Sequence, residues 1–355
     1  MEVDYIIAGQ GIAGTMLARE LEKAGCSFIV ADPEYHHTPS FTAPGIMNPL
    51  IGIGLSKTWN ADTLFPYARE SYREIENLLG ISFFQDLPIY KIAGSPKILK
   101  KWQKKLDKPE LQPFIQSKEV PEENYFNNPH GGLTIAQSGK VSIKRLVLGY
   151  RNHLKELGRF YPEKVEENDL EYSSSHVNWQ GIRAKKLIVS NGAFKGLFRD
   201  FFNSALEPSK GQVLVFKADA PEKAILNKGA HIAPMGNGFF WGGSTNEGDV
   251  TDLYPTQNGR ETLREKINDI LKVPWEIQGQ LSGVRPVGFD KKPVIGPHPS
   301  YPRIAIFNGM GSKGTVYSPW LARVFKEHLL HGESIPEEVS TERLEKAEQQ
   351  VNSTT

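Results

Sequence analysis

Three glycines and one acid near the N-terminus have the types and spacing to hold a pyrophosphate and a sugar. Gly9-x-Gly11-x-x-Gly14 follows an apolar run over residues 3–8 that reads as a buried strand. Gly9 permits the tight turn, Gly11 lets backbone approach a pyrophosphate, and Gly14 lets the next helix pack close to the strand. That helix, over 15–25, offers free N–H groups and a positive dipole end to the phosphates. A second strand over 28–31 closes on Asp32, where a carboxylate can accept hydrogen bonds from ribose hydroxyls. Strand, loop, helix and acid in register point to a dinucleotide site, with FAD and NAD both compatible.

A second unit of this kind lies near the C-terminus. A strand over 304–307 runs into Asn308-Gly309-Met310-Gly311-Ser312-Lys313-Gly314-Thr315, and a helix over 316–330 follows. Its N-terminus can meet an anion or a polarised oxygen. An apolar strand over 186–189 enters the small-residue turn Ser190-Asn191-Gly192-Ala193. The stretch 41–54 is too rich in Gly and Pro for a helix and too apolar for a solvated loop. It reads either as backbone laid against something flat or as a buried connector.

Other elements must position these groups. Apolar spacing predicts helices over 63–79, 96–106, within 139–158, and over 260–271. Strands are expected at 83–84, 87–92, 211–216 and 276–283, with a hairpin over 231–244. Residues 109–129 read as irregular, and the tail from Glu337 as an exposed, fraying, charged helix.

The 355 residues exceed one typical core, so two lobes are expected. Lys+Arg of 42 against Asp+Glu of 41 gives no global support for polyanion binding. Locally, Lys97, Lys100, Lys101, Lys104 and Lys105 form a basic helix, a solvated face by default and a polyanion site otherwise. The one cysteine, Cys26, excludes an internal disulfide and a cysteine-rich metal site. It is expected as a small buried packing residue. His36-His37 reads as surface loop rather than metal site, and no metal is expected. A strand beginning at once after Met1 leaves no room for a signal peptide, and no apolar run reaches the roughly 18 residues of a membrane span. A cytoplasmic protein without a membrane partner is expected.

The ordered set of motifs resembles the D-amino-acid oxidase/glycine oxidase family of FAD-dependent oxidoreductases over nearly the whole chain. Gly9-x-Gly11-x-x-Gly14 is similar to its pyrophosphate loop, 44–49 to its segment beside the flavin, and 190–193 to its short small-residue turn. Gly283-x-Arg285-Pro286, Asp290-x-x-Pro293-x-Ile295-Gly296 and Gly309-x-Gly311-x-x-Gly314 resemble its C-terminal signature. Within the family, Gly211-Gln212 and 45–49 look most like the FAD-dependent C-terminal domain of the bifunctional enzyme that modifies the tRNA wobble uridine, whose methyltransferase half is lacking here. Asp32 stands where the family more often has Glu.

The resemblance implies an α/β fold with an α+β substrate lobe: a Rossmann-like FAD-binding domain interleaved with an antiparallel-sheet substrate domain. The first would use 1–80, 136–205 and 283–340, the second 81–135 and 206–282, with 341–355 a charged tail. It implies non-covalent FAD held by Gly9, Gly11, Ile12, Ala13, Gly14, Asp32, Pro33, Gly45, Ile46, Asn48 and Val165. Asn191, Gly192, Gly309, Gly311, Ser312, Lys313, Gly314 and Thr315 complete that set. The implied activity is oxidation of the C–N bond of a small amino acid or secondary amine by hydride transfer to flavin N5. Arg285 would grip a substrate carboxylate, or else serve a structural ion pair. Lys313 would stabilise the reduced flavin anion, or else be a solvated loop lysine. Two alternatives stay open: modification of a tRNA wobble uridine, in which nucleic acid is the less favoured partner, and a non-catalytic flavin-binding module.

Overall fold

The computed structural model describes residues 1–35, 38–193, 197–198, 205–248, 250 and 252–344. The His36-His37 pair and the tail beyond Leu344 lie outside the described residues. The N-terminal strand spans Glu2–Ala8 and the first helix Ile12–Lys23, with Gly25 in the left-handed region just beyond it. Parallel strands lie in the order Phe160–Tyr161, Phe28–Ala31, Glu2–Ala8, Ile182–Val189 and Ile304–Asn308. The N-terminal half of Ile182–Val189 also pairs antiparallel with Val177–Trp179, which pairs with Leu170–Tyr172.

Alternation along the central strand decides which layer covers which face. Tyr5 and Ile7 join the core under four helices, Ile12–Lys23, Ala61–Leu79, Ile143–Glu156 and Gly314–His331. Ile6 and Ala8 face the other side, with Val177 and Trp179 of the antiparallel strand. Phe307 and Phe325 stack at 5.6 Å and tie the last strand to the last helix.

A second sheet orders its strands Trp275–Gly288, Leu206–Ala218, Phe239–Gly243, Ala230–Gly236, Ile225–Lys228, Ile89–Ile92, Gly132–Ile135 and Ile115–Ser117. Every pairing is antiparallel except Ile225–Lys228 with Ile89–Ile92. Leu214, Phe216 and Phe240 pack on Leu263 and Ile267 of the helix Gln257–Ile270, so this face is covered. Gly211 and Val213, one residue out of phase, face the opposite way. The fold is the mixed α/β architecture expected, its two eight-stranded sheets accompanied by a three-stranded and a two-stranded one among the described residues.

Several boundaries move. The strand expected over 276–283 runs to Gly288, across the expected lobe boundary, because it pairs with Leu206–Ala218 along its whole length. Long-range pairing here overrides the local glycine and proline signals. The irregular 109–129 stretch contains a 3-10 turn, Gln112–Phe114, and the short strand Ile115–Ser117. The tail is not an exposed helix through Leu344. Val339 and Leu344 are buried, Ser340 bridges to Ile295, and Arg343 pairs with Asp290 at 3.0 Å. Apolar residues on the tail have a strand face to cover, which the charge content alone conceals. Cys26 is buried. Among the described residues, no helix is long and apolar enough to cross a membrane.

Candidate active site

One cavity of about 390 Å³ runs from the carboxyl ends of the parallel strands to the open face of the second sheet. Carboxyl ends are where open parallel sheets present ligands, because the loops there diverge and helix N-termini point inward. Gly9 (φ +105°) turns the chain so tightly that a Cβ there would sit 2.6 Å from the Ser190 carbonyl. Gly11, Ile12 and Ala13 line the cavity; Gly14 does not. A Cβ on Gly14 would overlap the Gly9 carbonyl, so its place is behind the loop, holding helix to turn. The first N–H groups of this helix have no partner further back in it, and that of Ile12 finds Ser40 Oγ at 3.1 Å.

Asp32, Pro33, Val165 and Tyr35 line the end of the cavity beside the second strand. Asp32 is heavily engaged by the protein. Its Oδ2 accepts from the Gln10 N–H at 2.7 Å, and its Oδ1 from the Glu34 N–H at 2.8 Å and Arg151 Nη2 at 3.1 Å. Glu34 sits in the left-handed region (φ 57°). The Lys155 ammonium, helped by Arg151, holds the Glu34 carboxyl below its ordinary range.

In the middle of the cavity lie Ile46, on the short strand Ile46–Met47, Gly45 just before it, and Asn48 in the connection to the strand Leu50–Ile51. Val141 donates to the Gly45 carbonyl at 3.0 Å, Thr315 Oγ1 to Ile46 O at 3.4 Å, and Trp241 Nε1 to Thr42 O at 2.9 Å. This stretch therefore lines the cavity while being tied into the surrounding core, as expected of a buried connector. Opposite, Asn191 and Gly192 line the cavity, fixed by Asn308 Nδ2, which donates to Gly192 O at 2.9 Å. Gly311, Ser312, Lys313, Gly314 and Thr315 line it at the start of the helix Gly314–His331. Gly309 does not; its N–H caps Asn308 Oδ1 at 2.9 Å. Lys313 Nζ lies 3.4 Å from the Tyr317 hydroxyl, and burial lowers its pKa.

At the sheet end stands Arg285. Nη2 donates to Ser244 Oγ at 2.8 Å and to Thr245 O at 3.3 Å, and Nη1 to Asn246 Oδ1 at 3.4 Å. Among the described residues its partners are all neutral oxygens, and no carboxylate comes within ion-pair distance. Burial lowers its pKa, partly offset by the more distant Glu247 carboxylate. The guanidinium lies across Gly211, where a Cβ would come 2.5 Å from Cζ. Behind it, Gln212 and Thr245 Oγ1 both donate to Glu247 Oε1, at 2.8 and 2.7 Å, fixing the segment after Phe239–Gly243 that presents Thr245 O.

Sequence reading missed three groups of this site: Ser244 with Asn246, Trp241, and His231. The hairpin alternation could have revealed the last two, since Ala233 pairs with Trp241 and His231 with Gly243 on one face. Burial and the neighbouring Lys91 ammonium push the His231 pKa down to about 4. Ser190 Oγ, on the cavity wall, is buried without a hydrogen-bond partner among the described residues.

A glycine cradle, two inward helix N-termini and an orphaned wall hydroxyl suit a long dinucleotide, and they define a dinucleotide-binding protein with a second, antiparallel sheet over its ligand. More particularly, residues 4–328 match the DAO family, FAD dependent oxidoreductase, and the chain belongs to that family. It is an FAD-dependent oxidoreductase, as its motifs imply. Glycine oxidase of Pseudomonas aeruginosa is 25% identical, the match covering 92% of this chain and 94% of that protein. The tRNA 5-methylaminomethyl-2-thiouridine biosynthesis bifunctional protein MnmC of Marinobacter nauticus is 23% identical over 91% of this chain but 55% of its own length. The structure of glycine oxidase from Bacillus cereus superposes with a TM-score of 0.78 at 18% identity, covering 94% of this chain and 96% of that one. Iminodiacetate oxidase from Chelativorans sp. BNC1 gives 0.76 at 16%, covering 95% and 98%.

Proposed function

We propose that this protein oxidises the C–N bond of a small amino acid or secondary amine that carries a carboxylate. The observation that carries the reading is Arg285, a partly buried cation on the cavity wall with only neutral oxygens around it among the described residues. A guanidinium so placed favours a carboxylate, which it can grip with two N–H groups. The relatives named glycine oxidase support an amino-acid substrate.

The proposed roles follow the geometry. The parallel sheet with its four helices is the FAD-binding lobe, and the long antiparallel sheet the substrate lobe. Gly9 to Ala13 would hold the pyrophosphate and Asp32 the ribose. Gly45 to Asn48 would lie along the flavin, and the first turn of the helix Gly314–His331, with Lys313, would face its polar edge. Bound there, FAD supplies the hydride acceptor, N5, for the carbon next to the amine nitrogen. Arg285 orients the substrate through its carboxylate, and Trp241 and Val213 give an apolar wall that excludes water. His231, with its lowered pKa, is neutral at pH 7 and adds no positive charge beside an incoming amine.

A second reading, a substrate carried on tRNA, draws on the basic helix Pro96–Gln103. Its buried Trp102 donates to Ile53 O at 2.9 Å in the hairpin whose Ile51 lines the cavity. Anaerobic bleaching of the flavin against a panel of amino acids, N-substituted glycines and amines lacking a carboxylate tests the first reading. Bleaching only by the carboxylate-bearing members is expected; bleaching by none of them, together with salt-sensitive tRNA binding, would favour the second.

A further inference from the structure

Arg151 is out of place for its helix. It lies on Ile143–Glu156 among Leu146, Val147, Tyr150 and Leu154 and is itself 4% exposed. Packing alone would be served as well by an apolar side chain of similar volume, because burying a guanidinium carries a large desolvation cost. Its fork is spent on one task. Nε donates to Gln10 Oε1 at 2.6 Å, Nη2 to Asp32 Oδ1 at 3.1 Å and Nη1 to Glu34 Oε1 at 3.3 Å, while the guanidinium lies over the Phe160 ring at 5.1 Å. Gln10 in turn donates its backbone N–H to Asp32 Oδ2 and its side-chain amide to Val147 O at 3.1 Å. Asp32 is thus gripped on both oxygens. Of the roughly four acceptor directions of a carboxylate, the described residues take three and leave one, on Oδ2. Arg151 does not line the cavity.

We propose that Arg151 is the positioning residue that fixes Asp32 for an adenosine ribose hydroxyl, and so sets this protein's selectivity for a flavin dinucleotide carrying that diol. The inference deepens the proposed assignment of Asp32 to the ribose and rests on it. Without Arg151, two carboxylates, Asp32 and Glu34, face one another with one shared cation fewer. Asp32 then keeps only the Gln10 and Glu34 N–H donors and loses the cation that balances its charge and fixes its tilt toward the ligand.

The test titrates flavin-stripped, full-length protein with FAD and with an FAD analogue whose adenosine ribose lacks both hydroxyls, read by flavin fluorescence. Wild type should prefer FAD by about 10-fold or more, as expected for one charge-assisted hydrogen bond. In Arg151→Met the preference should fall below about 3-fold, with affinity for the analogue nearly unchanged. Arg151→Lys, which keeps a cation but not the fork, should fall between the two and serves if the Met variant does not fold. A preference that survives in the variants, or an analogue affinity that falls as far as that of FAD, overturns the proposal and makes Arg151 merely structural. A wild type that does not distinguish the two flavins overturns the ribose assignment itself.

Discussion

The two ends of the cavity treat charge in opposite ways. At the nucleotide end, Asp32 is compensated before any ligand arrives, by Arg151 and two backbone N–H groups. At the sheet end, Arg285 is steadied by Ser244, Thr245 and Asn246, none of which is charged. A compensated, immobilised acid suits a permanent, neutral partner such as a sugar hydroxyl, since it is preorganised and loses little entropy on binding. An uncompensated cation suits a transient anion, whose arrival supplies the missing charge. On the proposed assignment, the contrast separates a residence site for the cofactor from a turnover site for the substrate within one cavity.

The sharpest way to break this contrast is to remove the uncompensated cation. Arg285→Met should raise the concentration of a carboxylate-bearing amine needed for flavin reduction by roughly 100-fold, as for losing about 3 kcal/mol of charged hydrogen bonding. FAD retention should hold and Arg285→Lys should recover only part. Equal losses for amines with and without a carboxylate would sink the assignment. A smaller effect is expected from Gly211→Ala, because the new methyl would displace the guanidinium rather than remove it. The same titration should rise on the order of 10-fold. An unchanged titration in that variant would mean the arginine can re-seat without cost to its task.

At the compensated end, Asp32→Ala should weaken FAD binding by about 10-fold, the scale of one lost charged hydrogen bond. It should also lower the thermal midpoint of the apoprotein, because Arg151 then keeps one carboxylate partner instead of two. A variant that loses FAD affinity with no change in midpoint would show that the clamp carries no structural load. The smallest expected effect concerns His231, whose pKa is lowered to about 4 by burial. A lowered histidine pKa means the unfolded chain binds the proton first, so stability should decline as pH falls from about 6.5 toward 4. His231→Gln should lose less midpoint than wild type between pH 7 and pH 5. Identical losses would mean the imidazole titrates as an ordinary one.

The sequence by itself determined the local devices. The turn at Gly9, the helix that follows, the acid at the end of Phe28–Ala31 and the second glycine loop before Gly314–His331 depend on residue types a few positions apart, and spacing encodes such geometry directly. Arg285 was legible as a cation beside a proline, and Gly211 as a notable glycine, but not that one lies across the other. The tail beyond Glu337 reads as solvent-exposed because its charges outnumber its few apolar residues, though Val339 and Leu344 are what pack. What only the tertiary structure decided is the state of each charge. Arg151 meets Gln10, Asp32 and Glu34 from more than a hundred positions away, and Arg285 is left beside hydroxyl, carbonyl and amide oxygens by the way two strands and a connecting segment meet. Compensation is a property of distance in space, which falls off over a few ångströms and has no period along the chain.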